Sequence, residues 1–143
     1  MTSLAACAPR IEPIGAVAWP ADAHSFLLGA PPAGYEGYGA DAAAAVRDAL
    51  IGKGYAPAED ARYRVDVGFA VGSTSVEVVQ PGDPKAKEAA PRIALCKPRK
   101  YVLSVAMIDR RTGHVLFRAG AATARCGDIS AKLLPELARV ALR

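Results

Sequence analysis

Two alternating runs joined by a glycine turn constrain this chain more than any other feature. Residues 99–109, Arg-Lys-Tyr-Val-Leu-Ser-Val-Ala-Met-Ile-Asp, and residues 114–124, His-Val-Leu-Phe-Arg-Ala-Gly-Ala-Ala-Thr-Ala, read as antiparallel strands across Asp109-Arg-Arg-Thr-Gly113. Gly113 supplies the positive φ such a turn needs. Pairing centred on Arg111 sets Met107 opposite Val115, Val105 opposite Phe117 and Leu103 opposite Ala119, so the apolar pairs share one face. The same register carried outward sets Cys96 opposite Cys126. Opposed residues in an antiparallel pair lie about 4.5 to 5.5 Å apart at Cα, which is disulfide range. Pro98 stands between the ladder and the cysteines, where it is placed to disturb the register, and two buried free thiols are the alternative reading. A disulfide at these positions implies an oxidising compartment.

The rest of the chain fits one domain around that hairpin. At 143 residues, with 52% hydrophobic and 22% charged residues, it is long enough for one core and too short for two. Pro, Gly or a charge interrupts every apolar stretch before the roughly 18 residues needed to cross a bilayer. Ile14–Trp19 reads as the first ordered element, a short apolar run stopped by Pro20, and Ser25–Leu28 as a second apolar piece. Residues 40–53 form a helix by propensity, with Ala42, Ala45, Val46, Ala49 and Leu50 on its apolar stripe and Gly52 and Gly54 ending it. Tyr63, Val65, Val67, Phe69 and Val71 alternate with Arg64 and Asp66 as a half-buried strand, which continues through residues 73–79 after a break at Gly72. Residues 80–92 form a polar connection. Asp128 caps a last helical segment over residues 129–142, whose Pro135 calls for a kink or a start near it. The predicted fold class is α+β: an antiparallel sheet of about four to five strands with two helices packed on one face.

The net charge of +4 is spread along the chain, and its densest clusters are Lys97-Pro98-Arg99-Lys100, with Arg92 nearby, and Arg110-Arg111. Short runs of this kind are usually solvated turns and strand ends. The sequence contains no aromatic RNA-binding strand, zinc-finger spacing or helix-turn-helix pattern, so no nucleic-acid partner is expected. Anionic lipid headgroups suit a mild positive excess equally well.

Chemistry-bearing motifs are sparse. His24 and His114 have no ligand-type residue at i+2, i+3 or i+4 on a shared face, so no metal site is expected. A Gly-x-Ser-x-Gly elbow, a reactive-cysteine setting and paired carboxylates at strand ends are all missing. Asp109, Asp128 and Glu77 read as a turn residue, a cap and an exposed strand position. The Gly- and Pro-rich stretch 29–39 lacks the Gly-Lys-Ser/Thr ending of a phosphate-binding loop. Its Tyr35 and Tyr38 either pack the loop onto its own domain or line a partner surface. The expectation is therefore no catalysis and no cofactor.

A third cysteine, Cys7, ends the string Leu4-Ala5-Ala6-Cys7, which resembles the lipobox of bacterial lipoproteins. There a signal peptide is cut before a cysteine that receives acyl chains, and small residues let the peptidase close around the scissile backbone. Only Met1, Thr2 and Ser3 precede the box, so the charged and apolar regions of a signal peptide are missing. A chance run in an alanine-rich chain is the competing reading. The expected organisation is a truncated signal remnant and lipobox at 1–7, a tether at 8–13 and one α+β domain at 14–143.

Four further strings resemble a family of small bacterial envelope lipoproteins known as a domain of unknown function. They are Val17-Ala-Trp19, Leu50-Ile-Gly-Lys-Gly-Tyr55, Tyr63-Arg-Val-Asp-Val67 and Ile108-Asp-Arg-Arg-Thr-Gly-His-Val-Leu-Phe117. The resemblance implies a periplasm-facing lipoprotein with helices on one face of an antiparallel sheet, and it implies no substrate or catalytic residue. Ala8 after the lipidated cysteine, in place of Asp, looks like an outer-membrane sorting signal. The function expected is a non-enzymatic, lipid-anchored protein binding an envelope protein, glycan or lipid through an exposed sheet edge or the Tyr35–Tyr38 loop. An auxiliary lipoprotein of an envelope lipid-transport system is the alternative, and a small hydrolase using His24 or His114 stands behind it.

Overall fold

In a computed structural model the described residues are 11–14, 19–31, 38–73, 96–127 and 129–143. They form β1 (Glu12–Ile14), β2 (Ser25–Leu28), α1 (Tyr38–Gly52), β3 (Ala56–Pro57), β4 (Tyr63–Ser73), β5 (Arg99–Asp109), β6 (Val115–Arg125) and α2 (Leu133–Ala141). The six strands make one mixed sheet in the order β1-β6-β5-β4-β2-β3. Helix α1 lies over β4, α2 over β5 and β6, and the two helices touch each other. The α+β class with two helices on one face is therefore as expected, while the sheet has six strands and is not wholly antiparallel.

The antiparallel centre follows from alternation. Tyr63, Val65 and Phe69 of β4, Tyr101, Leu103, Val105 and Met107 of β5, and Phe117, Ala119 and Ala121 of β6 all turn toward the helices and are buried. From the helix side, Val46 and Leu50 of α1 and Leu133, Leu137 and Ala138 of α2 meet them. At about 25 cal/mol per Å² of apolar surface removed from water, this shared core is the main force holding the layers together.

Strand β2 runs parallel to β4, with Leu27 beside Arg64 and Leu28 beside Val65, and parallel to the short β3. This departs from an antiparallel sheet for a topological reason. Parallel neighbours need a crossover of a dozen or more residues, usually helical, and α1 lies between β2 and β4 in the chain. The crossover packs its helix on the face that α2 also covers.

The β5–β6 hairpin is present, but its register differs from the one expected. Asp109 N–H donates to the His114 carbonyl (2.9 Å) and Gly113 N–H to the Asp109 carbonyl (2.7 Å), so four residues, not three, lie between the closing pair. Ile108 then faces Val115, and after a bulge at Met107/Ile108 Met107 faces Phe117, Val105 faces Ala119 and Leu103 faces Ala121. The longer turn and the bulge each add one residue to β6. Their sum is two, which returns every side chain to the expected face while changing every partner.

Three other boundaries shift. Glu12 and Pro13, assigned to the tether, belong to β1, and Ile11 already packs on the core. Of the apolar run 14–19, Ile14 ends β1, residues 15–18 lie outside the described residues, and Trp19 sits outside any strand and packs on Tyr55 and Phe117. The last helix starts at Leu133, so Pro135 falls in its first turn, where a missing N–H costs no helical hydrogen bond. Residues 74–79 and the proposed cap Asp128 lie outside the described residues.

Candidate functional site

Helix α1 carries a second row beside its buried one. Asp41, Ala44, Ala45 and Asp48 follow i, i+3, i+4, i+7 spacing and so share a face. That row, with Tyr38 at the helix start, forms one wall of a groove of about 390 Å³ whose other wall is Ile129–Ala131, Leu134 and Pro135. The alanines keep the floor low because they carry no bulk, and the two aspartates edge it with negative charge. Tyr38 is 46% exposed although its ring lies 6.3 Å from that of Phe69. The groove is suited to a cationic or amide-bearing group on an apolar stem. Tyr38 thus lines the groove with its ring about half exposed, while Tyr35 lies outside the described residues. The aspartate spacing was readable in the sequence, but the facing wall comes from a segment about eighty residues away and was not.

The sheet edges are unevenly covered. Strand β1 pairs only with Gly120, Ala121 and Ala122 of β6. Along Val115–Ala119 no described strand pairs with the outer edge of β6, leaving main-chain groups that another strand can complete. Gly120 is required where β1 closes the edge, because a Cβ there would stand 2.7 Å from the Leu103 carbonyl oxygen and 3.6 Å from Ile14 Cβ.

A polar cluster pins the hairpin turn to the start of β4. Asp109 is 3% exposed. It accepts from Arg62 Nη2 at 2.8 Å, from Arg62 Nε at 3.2 Å and from the Arg111 N–H at 2.9 Å. These donors hold its carboxyl below the usual carboxylate range, the Arg62 hydrogen bond contributing most. Arg62 is raised in return by the same bond, and it lies 5.2 Å over the Tyr63 ring. The Tyr63 hydroxyl donates to Asp22 at 2.8 Å, and that bond together with burial raises the phenol. Arg110 donates to the Glu59 and Ala61 carbonyls. Sequence reasoning placed Asp109 as a turn residue but not this network. Every acceptor in it is satisfied by a fixed donor, which is the arrangement of a structural clasp. His24 and His114, on which the hydrolase alternative rests, are both exposed.

At the opposite end of the sheet Cys96 and Cys126 are disulfide-bonded, with Cα atoms 5.8 Å apart. The bridge is the expected one, reached by a different route. The ladder ends at Arg99 opposite Arg125, and the bond closes outside it, where Pro98 has ended strand pairing. The Tyr101 hydroxyl donates to the Gly127 carbonyl at 2.8 Å, fastening the chain just past the bridge. Cys7 lies outside the described residues. Among the described residues no group of three or more His, Cys, Asp or Glu is placed to hold a metal ion, and no helix is long and apolar enough to cross a membrane.

Among the described residues these features define an α+β domain with a two-helix layer on a mixed sheet, an acid-edged groove and a part-open edge along β6. No family model matches the sequence, and neither does any curated protein sequence. Solved structures share the fold. A single-substitution variant of the PelC dodecamer from Paraburkholderia phytofirmans superposes with a TM-score of 0.56 at 13% identity, covering 94% of this chain and 95% of that one. A second crystal form of the PelC dodecamer gives a TM-score of 0.55 at 11% identity over 94% and 96%.

Proposed function

We propose that this chain is a lipid-anchored lipoprotein of the bacterial envelope, facing the periplasm and acting by binding rather than by catalysis. The observation that carries the reading is the Cys96–Cys126 disulfide. Such a bond persists in an oxidising compartment and is rare where thiols are kept reduced. Cys7, at the end of Leu4-Ala5-Ala6-Cys7, is the acylation site in this reading, and its chains fix the domain to the outer membrane. The envelope partner is a protein, glycan or lipid, and the groove beside Tyr38 and the open stretch of β6 are its contact surfaces.

Further copies of the chain are the first partner to test. The fold match to subunits of a dodecamer, nearly end to end in both chains, supports a self-assembling subunit. Light scattering on the purified protein is expected to give a mass several times 14.8 kDa. Mass spectrometry of protein taken from cell envelopes tests the anchor. The expected species lacks residues 1–6, carries acyl chains on Cys7 and is lighter by two hydrogens for the bridge. An unprocessed chain with three free thiols would overturn the reading.

A further inference from the structure

The cations that looked like scattered turn residues gather at one end of the sheet. Arg99 opens β5 and Arg125 closes β6, and the two are direct ladder partners. Lys100 is the next residue on β5, and Lys97 adjoins the bridged Cys96. Lys97, Arg99 and Lys100 are exposed. Like charges directly opposed on a ladder repel, and among the described residues no carboxylate pairs with any of the four. Arg125 Nε is buried with no hydrogen-bond partner. Of the described strand residues at this end, Glu12 is the one carboxylate, and Asp41 of the groove stands nearby at the start of α1. The other end is balanced differently: Arg62 pairs with Asp22 and Asp109, the Arg111 N–H donates to Asp109, and Arg110 donates to the main-chain carbonyls of Glu59 and Ala61.

The chain's path gives this asymmetry a direction. Strand β1 is antiparallel to β6 with Glu12 beside Ala122, so the chain before Glu12 leaves toward the disulfide end. Ile11 is already packed on the core. Three residues, Ala8, Pro9 and Arg10, separate Ile11 from Cys7, and the four Cα-to-Cα steps between them span at most about 14 Å when fully extended. An acylated Cys7 on so short a leash keeps the basic end within about two Debye lengths of the headgroups, the Debye length being about 8 Å.

We propose that the disulfide end of the sheet, through Lys97, Arg99, Lys100 and Arg125, is a docking surface for an anionic lipid bilayer, which orients the domain with the hairpin turn pointing away from the membrane. The orientation rests on the lipid-anchor reading, and the charge recognition is tested without it. Acyl chains supply retention; the cations supply attitude, because a lipid tether alone leaves a domain free to tumble.

The test uses the full chain with Cys7→Ser, which cannot be acylated, and vesicles of phosphatidylglycerol in phosphatidylcholine or of phosphatidylcholine alone. Co-sedimentation with the anionic vesicles is expected, falling as salt rises. Arg99→Gln/Lys100→Gln should weaken it by roughly fivefold per cation, about 25-fold together. Arg111→Gln/Arg139→Gln removes the same charge far from the bridge and should leave binding within about twofold. Equal losses in the two variants, salt-independent binding to neutral vesicles, or tighter capture by a single-stranded oligonucleotide than by anionic vesicles would each overturn the proposal. Because no acyl chain is present, these results stand apart from the envelope mass measurement, and either reading can fail alone.

Discussion

Asp109 has much to lose by substitution. Its carboxylate collects two donors from Arg62 and one from the Arg111 main chain while nearly sealed from water. Asp109→Asn keeps the shape but removes the charge and turns one acceptor into a donor facing a guanidinium. The expected result is a melting temperature several degrees lower than that of the unsubstituted protein at pH 7, read by circular dichroism. The pH dependence has a definite sign. A carboxylate whose folded pKa lies below its ordinary value of 3.8 adds stability that is present above that value and is lost as pH falls through the folded pKa. The gap between the two proteins should hold steady through neutral pH and narrow only under strongly acidic conditions. A gap that instead widened on acidification would contradict the ion pair. Asp109 as a turn residue could be seen in the sequence; its partner could not. Arg62 reaches it only because Tyr63 and Asp109 are ladder partners across β4 and β5, a pairing between segments far apart in the chain.

Strands with clean alternation were legible at the level of the element. β5 runs over the anticipated residues, and β4 begins at Tyr63 as its pattern required, while Ser25–Leu28, read only as an apolar piece, is the strand β2. What alternation does not encode is an even shift. Moving β6 by two residues leaves the same side chains facing the helices, so the hydrophobic pattern is blind to the bulge near Ile108. The parallel direction of β2 was hidden for a related reason, since a strand as short as Ser-Phe-Leu-Leu carries no arrow. The seam where β1 joins β6 is tight enough to test. Gly120→Ala places a methyl group against the Leu103 carbonyl and is expected to cost about 1–3 kcal/mol, measured by urea denaturation. Ala124, four residues further along and exposed near the end of β6, should accept Ser with almost no change. The bridge also belongs to this scale. Cys96→Ser/Cys126→Ser removes a link spanning 30 residues and should lower stability by roughly 3–4 kcal/mol on the chain-entropy model, with the hairpin register retained.

Taken whole, the molecule is polarised along its strands: a neutralised clasp at the hairpin turn, and a bridged, cationic rim where the N-terminal segment departs. One further consequence follows from the aromatic contact that ties three distant parts of the chain together. Trp19 is the single tryptophan, its ring 5.2 Å from that of Tyr55 beyond α1 and 5.1 Å from that of Phe117 in β6. The protein therefore holds an intrinsic optical gauge. Excitation at the indole band should give blue-shifted emission from the folded state, and prising the N-terminal segment off the sheet should redden it before circular dichroism registers any loss of strand. A single fluorescence trace then separates peeling of the leading segment from collapse of the domain, without a dye or a label.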